Sequence, residues 1–394
     1  MSADPVVIVA YARTPMGGFQ GALAGASATV LGATAVKGAM ARAKIAPETV
    51  DQIIMGCVLP AGLGQAPARQ AALGAGLPTS VAATTVNKMC GSGMQAAIHA
   101  HDALLAGSAD IVVAGGMESM TNAPYLLAKH RSGARIGHDR VIDSMYLDGL
   151  EDAYDPGKLM GAFAEETAAA YQFTRSDMDA YAVESLRRAR AAVEGGAFAR
   201  EIVPVEIASR KGVETIKDDE QPLKADPAKI PTLKPAFAKD GAITAANASS
   251  ISDGAAALVL MRASTAETLG LDPVARIAGH GVHAHAPALF TTAPVPAMRQ
   301  ALARAGWNID DVDLFEVNEA FAVVAMIAMR DLGIEHERLN VNGGACALGH
   351  PIGASGARIL ATLLSALEAR GERRGLASLC IGGGEAVAMA VERV

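Results

Sequence analysis

The chain has 394 residues, enough for two or three domains. Its formal charge of −7 argues against a nucleic-acid binder, which is ordinarily basic. Apolar residues make up 51 %, largely alanine, and aromatics only 4 %, which suits a helix-rich α/β enzyme with tightly packed layers. No apolar run reaches the roughly 18 residues of a membrane helix, and no signal or transit peptide precedes the first strand, so a soluble cytoplasmic protein is expected. Four cysteines, Cys57, Cys90, Cys346 and Cys380, are too few for a disulfide framework and lack zinc-site spacing, so they read as free thiols.

In chain order, Val6–Ala10 reads as a first buried strand ended by Arg13-Thr14-Pro15. Thr29–Ala43 has helical spacing, Gln52–Met55 is a strand, and Ala68–Leu73 is a short helix stopped by Pro78. Val81–Val86 is an apolar, β-branched run that leads into Asn87-Lys88-Met89-Cys90-Gly91-Ser92-Gly93, a glycine turn followed by a helical pattern to Leu105. A thiol at a helix N-terminus faces unpaired amides and the positive end of the helix dipole, which lowers its pKa. Gly91 and Gly93 let a ligand approach the backbone; a buried packing cysteine is the structural alternative. Asp110–Ala114 is the next strand, closed by Gly115-Gly116. Strands alternating with helices predict a mostly parallel sheet.

The order then repeats. Lys37–Met55 aligns without a gap on Arg299–Val317, placing Arg42 on Arg304, Val50 on Val312 and Asp51 on Asp313. Val86-Asn87 resembles Val341-Asn342, and Gly115-Gly116 resembles Gly382-Gly383. The chain reads as two copies of one α/β unit. Between them lies a different stretch, about Thr121–Thr244. It carries a basic cluster (Lys129, His130, Arg131, Arg135, His138, Arg140), either solvated or facing phosphates, and two helices, Phe163–Tyr171 and Asp177–Glu194, the second capped by Ser176. Prolines and charges without clear period follow, Lys217–Lys234.

Three stretches in the second copy carry chemistry: Glu316–Phe321 at a strand end, the glycine-rich run Asn342–Gly356 with His350, and Leu379-Cys380-Ile381-Gly382-Gly383-Gly384. Pseudosymmetry would set these loops at the same end of the core as Cys90. Cys90, His350 and Cys380 then share one pocket, combining a nucleophile, an imidazole and a second thiol able to move a proton, with glycine-turn amides to hold an oxyanion. Singly, each has a duller reading: His350 bracing a turn, Cys380 packing in the core.

Together, Asn87–Gly93, Asn318-Glu319-Ala320-Phe321, Gly349-His350-Pro351 and Cys380–Gly384 resemble, in order and across the chain, the signatures of the thiolase family, most nearly its acetyl-CoA acetyltransferase (acetoacetyl-CoA thiolase) members. The resemblance implies an α/β fold in which a βαβαβαββ unit is used twice, giving a five-layered αβαβα core with an inserted loop domain. The implied division is 1–120 for the first part of the N-terminal half, 121–244 for the loop domain, 245–272 for the return, and 273–394 for the C-terminal half. It implies Claisen condensation of two acetyl-CoA to acetoacetyl-CoA and CoA, and the reverse thiolysis, through an acyl-cysteine. Cys90 would be the nucleophile, His350 the group that takes its proton, and Cys380 the group that moves the α-proton. Asn318 would hold a water that completes one oxyanion site with His350, and the amides of Cys90 and Gly382 would form the other. Ser249, Met160, Phe237, Ala320, Phe321 and Phe290 would line the acyl and CoA site.

The resemblance also implies no metal or redox cofactor, with CoA only as substrate and product, no nucleic-acid or membrane partner, a place in fatty acid metabolism, and a homodimer or homotetramer. Leu159 stands where many short-chain members have histidine, Phe290 where some have methionine, and Glu385 where relatives often carry an apolar residue. These departures leave a broader-range 3-oxoacyl-CoA thiolase as the alternative. A decarboxylating ketoacyl synthase is disfavoured because those relatives pair the cysteine with two histidines. A non-catalytic thiolase-like protein that binds CoA thioesters is disfavoured because all three reactive residues are present.

Overall fold

The computed structural model describes residues 4–210 and 212–394. The first unit runs β1 (Val6–Arg13), α1 (Ala28–Ala43), β2 (Gln52–Gly56), α2 (Pro67–Gly74), β3 (Ala82–Val86), α3 (Ser92–Leu105) and β4 (Ile111–Ser119). An insertion with α4 (Met160–Ala170) and α5 (Arg175–Glu194) precedes its last strand, β5 (Ser252–Arg262). The second unit runs β6 (Ala275–Ala284), α6 (Pro294–Ala305), β7 (Leu314–Val317), α7 (Ala322–Leu332), α8 (Ser355–Arg370), β8 (Arg374–Ile381) and β9 (Glu385–Arg393). The partner of β3 in this second unit is reduced to one parallel bridge, Phe315 to Leu339.

The duplication is visible atom by atom. The Asp51 carboxylate accepts from the Asp110 and Ile111 amides, and that of Asp313 from the Arg373 and Arg374 amides. Helix α1 ends on Lys44 and α6 on Gly306, both left-handed, and each leads into a short 3-10 turn, Pro47–Thr49 and Ile309–Asp311.

Strands β1, β4, β5, β8 and β9 are buried along nearly their whole length because both faces are covered, whereas the edge strand β3 stays partly exposed. Side chains alternate across the pleat, so Val6 and Ile8 enter one core while Val7 and Val9 enter another. The outer face of the first sheet packs on α1 and α2 through Leu31, Ala39 and Ala71. The inner faces of both sheets share α3 and α8, with Met94, Ile98, Ile359 and Leu363 against Leu258, Leu379 and Met389. The far face of the second sheet packs on α6 and α7 through Met298, Leu302 and Ile327. This is the expected five-layered αβαβα core.

The strand order is β7-β8-β9-β6-β1-β5-β4-β2-β3, and the halves join across β1 and β6 by only two residue pairs. The sheet is mixed, not mostly parallel: β2 pairs in parallel with β3 and β4, and β7 with β8, while the remaining neighbours in this order are antiparallel. Each unit closes with an antiparallel strand. For β8 and β9 the link is three glycines, too short for the crossover that a parallel pair requires.

Gly115-Gly116 do not end β4, which continues to Ser119. A Cβ on Gly116 would lie 2.1 Å from the Gly353 carbonyl oxygen, so glycine marks a close backbone approach there. Counting from the Asp51 and Asp313 contacts, these glycines correspond to Ser378-Leu379 and not to Gly382-Gly383. In the insertion, α5 is capped by Thr174 and not Ser176: Thr174 and Asp177 close a capping box, whereas Asp179, three residues after Ser176, is taken by Arg175 and Asn247. Among the described residues no helix is long and apolar enough to cross a membrane.

Candidate active site

Helices α3 and α8 share the middle layer, and the turns that precede them meet at one end of it. In the first turn Met89 is left-handed, with φ of 46°. Its amide donates to Asn87 Oδ1 at 2.9 Å, and Ser92 Oγ accepts from the Lys88 amide at 2.8 Å while donating to the Met89 carbonyl at 2.6 Å. The bare Cα of Gly91 lets this turn lie against the end of β8, where a Cβ would come 2.4 Å from Ile381 Cδ1. The Gly382 amide and that of Cys90 itself thereby come close enough to the sulfur to favour its thiolate.

These groups open on a cavity of about 490 Å³ lined by Cys90, His350, Cys380 and Gly382. The same wall includes Ser249, Met160, Phe237, Phe290, Ala320 and Phe321, so ten of the eleven expected site residues meet there. The eleventh, Asn318, is buried behind His350, its Nδ2 3.4 Å from Nδ1 and 3.5 Å from Nε2. Its Oδ1 is buried without a partner. The Ser249 amide donates to the Ala320 carbonyl at 2.9 Å, which fixes the serine beside the Asn318–Phe321 stretch. Phe321 meets Phe237 and Phe290 edge-on, at 6.0 and 6.3 Å between ring centres. Tyr146 and Leu150 of the insertion, and Ile352, also line the cavity. Sequence reasoning missed them; only Ile352, beside His350 in the glycine-rich run, carried a signal.

His350 Nδ1 lies 2.5 Å from Ser355 Oγ, and that hydroxyl donates to the Pro351 carbonyl at 2.9 Å. The oxygen therefore accepts from Nδ1–H, and Nε2 keeps its lone pair. Burial, reinforced by the Arg358 cation, pushes the imidazole down to about 3, so it is neutral at physiological pH. Burial pushes the Cys90 thiol up to about 11, against the two amides that lower it. This corrects the expectation of a lowered pKa: desolvation outweighs the helix start. Cys380 is also raised, by burial first and then by the charge of Cys90, which places the two sulfurs within electrostatic reach of each other.

Two buried carboxylates hold the surrounding loops. Glu118 accepts from the amides of Val58, Leu59 and Gly353 at 2.8–3.1 Å, tying the loop after β2 to the turn that carries His350. Burial raises it to about 7. Glu319 accepts from Tyr181, Ser185, Asn340 and the Cys346 amide, joining the insertion to the second unit. All four cysteines are free thiols. Cys57 and Cys346 lie outside the cavity, against Glu118 and the Glu319 carbonyl.

A family model described as "Thiolase, N-terminal domain" matches residues 6–264, and one described as "Thiolase, C-terminal domain" matches residues 271–393. The chain belongs to the thiolase family. Acetyl-CoA acetyltransferase 2 of Arabidopsis thaliana is 52 % identical over 391 residues, covering 98 % of this chain and 96 % of that protein. The acetyl-CoA acetyltransferase of Escherichia coli (strain K12) is 52 % identical over 390 residues, 98 % and 99 % of the two chains. That of Allochromatium vinosum is 48 % identical over 393 residues, 99 % and 100 %.

Away from this thiolase cavity, one trio among the described residues offers ligand atoms within 4.8 Å of one another: His101 and Asp102 at the far end of α3, with His280 of β6. There Arg304 faces His280 Nδ1 at 3.3 Å and Asp102 faces Nε2 at 3.4 Å, so both nitrogens of that imidazole are engaged by protein groups.

Proposed function

We propose that this thiolase is an acetyl-CoA C-acetyltransferase, an acyltransferase that joins two acetyl-CoA into acetoacetyl-CoA and CoA and runs the reverse thiolysis. The observation that carries the reading is the meeting of Cys90, His350, Cys380 and the Gly382 amide on one cavity, from three separate stretches of the chain.

In the first half-reaction the Cys90 sulfur attacks the thioester carbonyl of acetyl-CoA while His350 Nε2 takes the thiol proton. Negative charge grows on the carbonyl oxygen, which the Cys90 and Gly382 amides receive. Collapse expels CoA thiolate, His350 returns the proton to it, and the acetyl group stays on Cys90. In the second half-reaction Cys380 passes its thiol proton to His350 Nε2 and, as thiolate, takes an α-proton from a second acetyl-CoA. The enolate oxygen faces His350 Nε2–H and a water held by Asn318; the unpartnered Asn318 Oδ1 supports such a water. The carbanion attacks the acetyl carbonyl, the C–S bond to Cys90 breaks, and His350 Nε2–H returns its proton to the Cys90 thiolate, while Cys380 keeps the α-proton as its thiol.

A thioester α-carbon is a far weaker acid than an ordinary thiol, so enolate stabilisation is the main demand on the site. One well-placed oxyanion donor is worth about 3–4 kcal/mol of barrier. Burial of Cys380 helps from the other side, since a raised pKa makes its thiolate a stronger base. The likeness over nearly the whole chain to proteins named acetyl-CoA acetyltransferase favours acetyl transfer over a broader 3-oxoacyl range.

The proposal includes action without metal or redox cofactor, in the cytoplasm and in fatty acid metabolism. It also includes assembly as a dimer or tetramer, supported by Tyr125, Leu127, Ile136 and Val141, large apolar residues exposed in the insertion. The test is incubation with acetyl-CoA and intact-mass measurement. An acetyl adduct that is absent from Cys90→Ala is expected; no adduct on the unaltered protein would leave a non-catalytic binder of CoA thioesters.

A further inference from the structure

Glu385, the departure that the family pattern left without a role, opens β9 directly after the Gly382–Gly384 turn. Its carboxylate forms an ion pair with Lys88, two residues before Cys90. The two partners are 297 positions apart in sequence and belong to different units. Two other contacts join the same turns: the Gly382 amide on the Cys90 sulfur, and Ile381 against the bare Cα of Gly91. One turn passes through a left-handed Met89, at φ 46°, and the other through Gly383 and Gly384, at 96° and 88°, where only glycine is at ease. Nothing within either turn fixes its distance from the other, yet that distance sets how the Gly382 amide meets the oxygen of a thioester attached to Cys90.

We propose that the Lys88–Glu385 ion pair is a positioning device that holds the oxyanion turn against the nucleophile turn during acylation of Cys90. The proposal rests on the acyl-cysteine reading above. Both side chains are partly exposed, so the pair adds little to global stability, about 0–1 kcal/mol. Its effect belongs to geometry: losing an oxyanion donor altogether costs about 10²–10³ in rate, and a loosened donor costs part of that.

The test measures the rate of acetyl-Cys90 formation from acetyl-CoA in the full-length protein, its Glu385→Gln, Lys88→Met and Glu385→Asp variants, and the exchange Lys88→Glu/Glu385→Lys. Slowing of about tenfold is expected in the first two variants, with Glu385→Asp and the exchange recovering most of it. Salt that screens the pair should slow the unaltered protein and leave Glu385→Gln unchanged. A purely electrostatic influence predicts opposite signs instead, faster acylation when Lys88 is left unpaired and slower when Glu385 is. That pattern, equal rates throughout, or an exchange variant no better than the single ones overturns the proposal. Absence of any adduct on the unaltered protein refutes the acyl-cysteine reading itself, a distinguishable result.

Discussion

Replacing Cys380 by serine separates the two half-reactions. Cys380 sits at the end of β8, buried and lining the same cavity as Cys90. The serine hydroxyl stays protonated across the accessible pH range, so the variant loses the base for the α-proton and keeps the Cys90–His350–Gly382 arrangement. A positioned general base contributes about 10²–10⁴ in rate, and condensation should fall by that factor. Acetylation of Cys90 should stay within an order of magnitude of the unaltered protein. A hydroxyl in this apolar setting costs about 1–3 kcal/mol of stability, equivalent to a melting shift of a few degrees in a chain of this size, so the variant should fold. The assay follows the acetyl adduct by intact mass and acetoacetyl-CoA formation in parallel. Loss of acetylation, or condensation at an undiminished rate, refutes this division of labour between the sulfurs.

Three further outcomes follow from the same geometry. With the Cys90 thiol raised to about 11, its alkylation by a neutral haloacetamide should climb steadily from pH 7 to 10; a plateau near the ordinary thiol value of about 8.5 would mean a solvated sulfur. Gly116→Ala puts a methyl 2.1 Å from the Gly353 carbonyl, so it should destabilise by about 1–3 kcal/mol and slow the enzyme through the His350 turn; an unchanged denaturant midpoint and rate would remove that close approach. Glu118 titrates at about 7 in the folded protein against 4.5 for an unperturbed glutamate. Between those values the folded state keeps a proton that the unfolded state has shed. Its contribution is thus complete below about pH 4.5 and is lost as pH rises through 7. Glu118→Gln should flatten this decline, and parallel stability curves for the two proteins from pH 4.5 to 7.5 would contradict it.

Much of the site was legible because glycine and its neighbours leave a signature wherever backbone must do the work. The turns at Cys90 and Gly382 read correctly, and the gapless repeat around Asp51 and Asp313 reported a shared capping contact made 262 residues apart. The buried charges were not legible. Glu118 reaches partners at positions 58 and 353, and Arg13 is neutralised by Glu201 and Asp219, about 200 residues away. A sequence reads such groups as surface until the fold brings their partners. Gly115-Gly116 misled for a related reason: their smallness serves a neighbouring backbone that the linear chain cannot show.

The misjudged Cys90 pKa carries the mechanism further. A helix terminus is worth about 0.3–2 kcal/mol to an adjacent charge. Desolvation of the partly buried Cys90 outweighs this and carries the thiol from 9.0 up to about 11, at about 1.4 kcal/mol per unit. The same burial keeps His350 neutral, so in the empty cavity the sulfur holds its proton and the imidazole holds none. A thiolate–imidazolium pair is therefore not the resting state. In the proposed mechanism proton transfer to Nε2 accompanies formation of the carbon–sulfur bond, and the charge that the sulfur would have carried arrives on the thioester oxygen, which the Cys90 and Gly382 amides receive. A nucleophile built this way stays inert until a thioester is in place, which suits a thiol that must wait for acetyl-CoA among other electrophiles.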